Sequence, residues 1–301
     1  MSYADAILST YGEVYKKLIG WGISEKMIDL DQIGRKRTAP TGVGSEFLMN
    51  RALGDWAEQK ILDAFTSQFP DFFPSKYGNS DNIVAGDSNF KSFFSRYVEE
   101  LGQVGKRPDI LVFDKDWGET ISNDISNYES TKLQEIVPRA KYGIEVRSSK
   151  IKSKKYNLFR QNNHSPQASR TELSITPKVE DLPLVVKWIE TFQIPHFYFQ
   201  VCLDEVYGIP FRKVLEFVLS SSKKGIIERN RNNAEKATIH IPFSNATKIG
   251  EFEKSVEFDN EIYEDERGRI NPYVKAKGGK LVLDSDAVRR CFMDSHRTLD
   301  D

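Results

Sequence analysis

The sequence predicts an α/β fold with a mixed central β-sheet flanked by helices. Three observations carry that expectation. From Asp109 to Leu203 the chain reads strand, strand, helix, strand, the order of a sheet whose connections cross its faces. A long amphipathic segment centred near Trp56 precedes this run and supplies a helix to cover one face. The 301 residues are 39% hydrophobic and 12% aromatic, enough to build a core in one large domain.

The N-terminal segment has helical spacing, with Ile7, Tyr11, Val14, Tyr15, Leu18 and Ile19 ahead of Gly20. "RKRTAPTGVG", residues 35–44, is a basic connector broken by Pro and Gly. A helix is expected over about Ser45–Ser67, with Ser45 as N-cap and Leu53, Ala57, Ile61, Ala64 and Phe65 on one face. Residues 71–90 are turn-rich and read as a hairpin or meander. A buried strand follows at Ile110–Phe113, then a polar excursion, 116–134, expected to be an exposed insertion. Tyr142–Ser148 reads as a second strand. Val179–Phe192 reads as a helix with Pro183 in its first turn, where a missing N–H costs nothing. Residues 196–211 read as one long aromatic and β-branched strand, and helical spacing resumes over 211–222. The remainder is expected to mix short strands, "ATIHIPF" and "KLVLD", with polar loops and a last helix near Asp286–Met293. No internal repeat or long linker divides the chain, so residues 1–301 are expected to form a single domain with elaborations.

Composition excludes several classes. Cys202 and Cys291 form neither a disulfide framework nor a metal-ligand spacing and suit a reducing compartment. No apolar run is long enough to span a membrane, and the N-terminus lacks a secretory signal's pattern. A soluble cytoplasmic protein without membrane partners is expected. The four histidines, at 164, 196, 240 and 296, are scattered without ligand spacing. Phosphate-binding, G-x-S-x-G and H-E-x-x-H motifs do not occur.

Lys plus Arg number 43 and Asp plus Glu 44, a net charge of -1, so the distribution of charge matters more than its sum. Val146–Thr171 holds no acid, yet it contains Arg147, Lys150, Lys152, Lys154, Lys155, Arg160 and Arg170. A solvated loop has such a composition too, but this run directly follows "GIEVR". There Glu145 and Arg147 share one face of a strand, with Ile144 and Val146 on the other. Asp109 opens the preceding strand. If the two strands are neighbours, Asp109 and Glu145 converge, and two carboxylates in one place repel unless one is protonated or a cation lies between them. Magnesium suits such oxygen ligands, with Mn2+ as a substitute. The competing structural reading makes Asp109 a turn cap and pairs Glu145 with Arg147.

"RPDILVF" followed by "GIEVRSS" resembles the PD-(D/E)xK nucleases, with Pro108-Asp109 as the first element and Glu145-Val146-Arg147 as the second. Residues 172–211 are similar to type II restriction endonucleases of the AccI-type group, and "EFLMNRALGDWAEQKIL" is compatible with it. The resemblance spans about residues 45–211. It implies a restriction-endonuclease-like core with α+β elaborations at both ends, in a bacterial or archaeal protein. It further implies that Asp109 and Glu145 bind a catalytic Mg2+, joined by Glu58 from the first long helix, with Asp55 as a competing candidate. The family's usual lysine is replaced by Arg147. A guanidinium stays protonated and cannot act as a general base, so Arg147 orients water or stabilises charge, or else Lys150 or Lys178 reaches in.

Partners follow from the same residues. Lys150, Lys152, Lys154 and Lys155 are candidates for phosphate contacts on double-stranded DNA. Arg160, Gln161, Asn162, Asn163 and Arg170 are candidates for base contacts, since Arg pairs with guanine edges and Gln or Asn with adenine. "ERNRNNAEK", residues 228–236, is a weaker candidate. The expected function is Mg-dependent cleavage of duplex DNA by a homodimer at a palindromic six-base site. The AccI resemblance points to a site related to GT-(A/C)-(G/T)-AC. Same-fold repair or structure-specific nucleases, and a non-cleaving DNA-binding regulator, are the alternatives.

Overall fold

The computed structural model describes residues 2–32, 43–78, 85, 87–163, 172–222, 226–230, 233 and 235–295. In chain order these form α1 (Tyr3–Gly20), α2 (Glu25–Ile28), α3 (Ser45–Gln68), β1 (Phe72–Lys76), α4 (Phe90–Val104), β2 (Ile110–Asp114), α5 (Lys115–Gly118), α6 (Ser130–Ile136) and β3 (Tyr142–Ser148). Then come α7 (Ser153–Asn162), β4 (Ser174–Ile175), α8 (Leu182–Phe192), β5 (His196–Val201), β6 (Glu205–Pro210) and α9 (Phe211–Ser220). Short strands β7 (Ile227–Arg229), β8 (Ala237–Ile239) and β9 (Ile241–Pro242) precede the long pair β10 (Thr247–Glu264) and β11 (Ile270–Leu283), and α10 (Ser285–Met293) follows.

Seven strands make one mixed sheet in the order β1-β2-β3-β5-β6-β10-β11. Only the β3–β5 pair is parallel; the other neighbours are antiparallel. A parallel step needs a crossover, and α8 lies on that connection. Each face of the sheet has its own core. On one side α3 buries Leu53, Ala57, Ile61, Ala64 and Phe65 against Ile110, Val112, Ile144 and Val146. On the other, α8 and α1 pack Val185, Trp188, Ile189, Ile7 and Val14 with Leu111, Phe113 and Tyr198. Alternation divides the side chains of β2 between these cores, while β3 gives Ile144 and Val146 to the first and turns Glu145 and Arg147 to the other face.

Several expectations need correction. Gly44, not Ser45, is the N-cap of α3, and Ser45 is its first residue. Among the described residues of 71–90 there is no local hairpin: β1 pairs with β2, and α4 begins at Phe90. The excursion after β2 contains α5 and α6, and Ile125 and Ser126 are buried, so it is not simply an exposed insertion. Residues 196–211 are two antiparallel strands, because the chain reverses at Cys202–Asp204. The expected short strands form over "ATIHIPF" as β8 and β9, but "KLVLD" falls at the end of the long strand β11, which pairs with β10 in a two-stranded arm. Both cysteines are buried and free. No helix among the described residues is long and apolar enough to cross a membrane.

Candidate active site

Ile110 stands opposite Ile144 in the β2–β3 pair, which brings Asp109 alongside the centre of β3. The Val146 backbone N–H donates to Asp109 Oδ2 at 2.6 Å. Glu145 is 4% exposed and lies beside the same carboxylate. The chain is shaped around Asp109: the N–H groups of Tyr77 and Gly78 donate to its carbonyl at 2.8 and 3.0 Å. A Cβ on Gly78 would sit 2.9 Å from Asp109 Cα and 3.0 Å from Oδ1, so only glycine fits there without displacement.

Two cations grip one oxygen of Glu145. Lys106 Nζ donates to Glu145 Oε1 at 2.5 Å and to Asp181 Oδ2 at 3.0 Å. Arg147 Nε lies 3.6 Å from Glu145 Oε1, and its Nη2 donates to Asp181 Oδ2 at 3.2 Å. Glu145, Lys106, Asp181 and Arg147 therefore close a ring of alternating charge. The second oxygen, Oε2, is buried without a hydrogen-bond partner among the described residues.

Lys106 enters this ring because of a backbone requirement. Gly105 ends α4 at φ +83, and a Cβ there would collide with the Leu184 carbonyl at 2.3 Å. The Lys106 N–H then donates to that carbonyl at 3.0 Å, which fixes the chain beside α8. Asp181 comes from the 3-10 turn that leads into α8. Neither Lys106 nor Asp181 is among the residues expected from the sequence. "GKRPD" does contain Lys106, but nothing in its spacing shows that it faces Glu145.

The carboxylates divide electrostatically. Burial alone would raise Glu145, but Lys106 and Arg147 outweigh it and hold the group below the ordinary range. Asp109 makes no ion pair among the described residues. Burial, reinforced by the charges of Glu145 and Glu58, pushes it well above that range. Glu58 approaches from α3 with Lys76 at 3.8 Å. Burial pushes it up to about 7 against the pull of Lys76, with Asp55 and Glu145 adding repulsion. Lys106 loses stability as a cation through burial, yet Asp181 and Glu145 hold it well above the usual lysine range. Burial lowers Lys178, partly offset by Asp181; it makes no ion pair with Glu145 or Asp109. Lys150 is exposed and does not join the ring either.

The basic segment forms a separate structure beyond the end of β3. Lys152, Lys154, Lys155, Gln161, Asn162 and Asn163 are exposed on or beside α7. Arg160 packs on Tyr156 and donates to its hydroxyl at 3.0 Å, while Asn163 Nδ2 donates to the Phe159 carbonyl at 2.9 Å. These two residues thus have roles within the helix. Arg170 lies outside the described residues, as does part of 228–236.

Among the described residues no group of three or more His, Cys, Asp or Glu side chains is arranged to hold a metal ion. The chemistry of the Asp109–Glu145 pair is nevertheless that of a hard-cation site. Glu145 Oε2 has no partner among the described residues, and Asp109 offers a carboxylate beside it with no cation of its own.

A mixed sheet with helices on both faces, two carboxylates on adjacent strands and a basic segment after the second define the class: a protein of restriction-endonuclease-like fold. A family model described as AccI restriction endonuclease matches residues 10–168 and 157–297, and the chain belongs to this family. No curated protein and no solved structure gives a significant match.

Proposed function

We propose that this chain is a type II restriction endonuclease that hydrolyses phosphodiester bonds of double-stranded DNA at a short palindromic site, with Mg2+ as cofactor. The division of Glu145 carries the reading. One oxygen accepts from Lys106 and lies 3.6 Å from Arg147 Nε, while the other is buried, bare and next to Asp109. A purely structural ion pair has no use for the bare oxygen, which costs stability where it stands. Asp109 and Glu145 would hold the ion, with Glu58 next to them. When bound, the ion lowers the pKa of a water and offsets negative charge on the phosphate.

The remaining work falls to the chain's own groups. Arg147 and Lys106 place two positive charges beside the carboxylates, where a phosphoryl transition state gains negative charge. Neither acts as a general base at neutral pH: guanidinium does not deprotonate, and the neighbouring acids hold Lys106 protonated. Lys106, rather than Lys150 or Lys178, fills the place of the lysine missing from β3. Asp181 keeps both cations turned toward Glu145. Exposed lysines on and before α7 engage DNA phosphates, and a homodimer cuts both strands of a palindrome, each subunit reading one half.

Digestion of a plasmid of known sequence, with and without chelator, tests this. Discrete fragments that require magnesium or manganese are expected, with fragment ends mapping to one short palindrome. A smear, selective cutting at junctions, or undiminished cutting in excess chelator would each overturn the assignment.

A further inference from the structure

The helix α7 is held in an unusual way. Of its ten residues only Ser153 is buried. Leu158 is 59% exposed and Phe159 58% exposed, two large apolar side chains without a core to enter. A ten-residue helix lacks the length to be stable by propensity alone, and this one has almost no packing to replace it. Its anchor is at the N-terminus. Asp204, in the reversal between β5 and β6, accepts from the Ser153 N–H at 2.7 Å, the Ser153 hydroxyl at 2.8 Å and the Lys154 N–H at 2.9 Å. A carboxylate distant in sequence thus supplies the cap that Lys152, the residue in the N-cap position, cannot supply. Glu205 adds a second contact to the Ser153 hydroxyl and is itself paired with Lys248 at 2.8 Å.

We propose that α7 enters the major groove of the DNA with Leu158 and Phe159 against the methyl groups of thymine bases, and that Asp204 is the positioning residue that sets its angle. The inference rests on the endonuclease reading above. Charge selects the occupant: Lys152, Lys154 and Lys155 precede the apolar pair, Lys154 also pairing with Glu251 at 3.1 Å, and no acid lies between Val146 and Thr171, which suits a polyanion. Shape agrees, since a helix free of packing along its length fits a groove about 12 Å wide. The apolar pair supplies what lysines cannot, because thymine alone presents a methyl group there. Chain order links reading to cutting. Only five residues separate Arg147 on β3 from the start of α7, and Leu203 N–H donates to the Ile151 carbonyl at 2.9 Å within that connection.

The test uses the intact chain and the duplex site mapped by plasmid digestion. Each thymine of the site and its flanks is replaced in turn by uracil, which removes only the methyl group. Binding is measured in chelator. Wild-type protein is expected to lose about four-fold in affinity at one or more positions, the worth of a single buried methyl. The Leu158→Ser, Phe159→Ser double variant is expected to bind the thymine site about ten-fold more weakly and to show no further loss with uracil. Being exposed in the free protein, these positions tolerate the change without unfolding.

For Asp204, cleavage of the mapped site is compared with cleavage of single-base variants, well below the melting temperature. Asp204→Ala is expected to reduce that ratio about ten-fold while the rate at saturating cognate DNA stays within two- to three-fold. Asp204→Asn, which still accepts from Ser153, is expected to retain most of the discrimination. A merely structural Asp204 would lower the melting temperature and leave the ratio unchanged. Wild-type cutting at discrete sites, combined with full affinity and retained uracil sensitivity in the double variant, would overturn this inference and leave the nuclease reading standing. Absence of discrete cutting by wild type would instead remove the reading on which it rests.

Discussion

Replacing Asp109 with asparagine is expected to stabilise the metal-free protein while abolishing cleavage. The sign follows from linkage. Asp109 is held protonated in the folded state to a higher pH than in the unfolded chain. Below a pH of about 4 both states carry the neutral acid, and no stability is lost. As pH rises through that value the unfolded chain ionises first, so folding stability falls by about 1.4 kcal/mol per pH unit until the folded-state group ionises as well. Glu58, pushed from 4.5 up to about 7, acts with the same sign over its own window. In Asp109→Asn the amide keeps an oxygen for the Val146 N–H and removes the charge. The variant should match wild type at pH 4 and exceed it at pH 8, with a higher melting temperature there. Urea unfolding in chelator at both pH values measures this, with single-turnover cleavage in magnesium beside it. Destabilisation at pH 8, together with substantial remaining cleavage, would show that Asp109 serves the fold and would refute the reasoning.

Gly78→Ala is expected to leave DNA binding within a few-fold and to slow single-turnover cleavage at least ten-fold, because its Cβ displaces Asp109; overpacking of this kind costs about 1–3 kcal/mol. Lys106→Met leaves Glu145 and Asp181 short of one cation in a buried ring, so a loss of about 3–5 kcal/mol in urea unfolding is expected along with loss of cleavage. Arg147→Ala should lower the single-turnover rate at least a hundred-fold with affinity nearly unchanged, and Arg147→Lys should recover part of it; near-normal rates for alanine would move the charge-stabilising role to Lys106 alone. His196 is fully buried with both ring nitrogens unpartnered among the described residues, and burial lowers it to about 3. Its depressed pKa means stability is present above pH 6.5 and falls by about 1.4 kcal/mol per unit as pH drops below it. His196→Phe, among Trp188, Tyr198 and Phe211, is expected to remove that acid-side slope in pH-dependent unfolding.

Legibility in the sequence follows the range of the interactions involved. The strands bearing Asp109 and Glu145 were readable because strand alternation is a local rule, and so was the shared face of Glu145 and Arg147. The stripe of α3 was readable for the same reason at helical period. Lys106 was not, since its direction depends on Gly105 at positive φ and on the Leu184 carbonyl of α8. Asp181 belongs to a short turn whose own sequence carries no sign of a partner 75 residues away. The β5–β6 reversal was obscured because both strands are buried on both faces, so that Asp204 and Glu205 at the turn interrupt an otherwise apolar run only briefly. The β10–β11 arm was hidden for the opposite reason. Its alternation places charged residues such as Glu257, Asp259, Lys275 and Lys277 in water, so the pattern resembles a polar loop.

The charge balance of the site joins these separate elements. Four carboxyl groups meet there, Glu58, Asp109, Glu145 and Asp181; of the nearby cations Lys76 stands by Glu58, while Lys106, Arg147 and Lys178 act on Glu145 and Asp181. Asp109 has no ion pair among the described residues, and burial strongly opposes its charge. Lys106 and Arg147 are committed to Glu145 Oε1 and Asp181 rather than to it. Burial and mutual repulsion accordingly push both Asp109 and Glu58 upward. A divalent cation held by Asp109 and Glu145, as proposed, would relieve the same repulsion, so its affinity should rise with pH through the range where these acids ionise. The ring thus does more than pair charges. By neutralising Glu145 from one side only, it leaves the other oxygen and Asp109 as the place where positive charge is still needed.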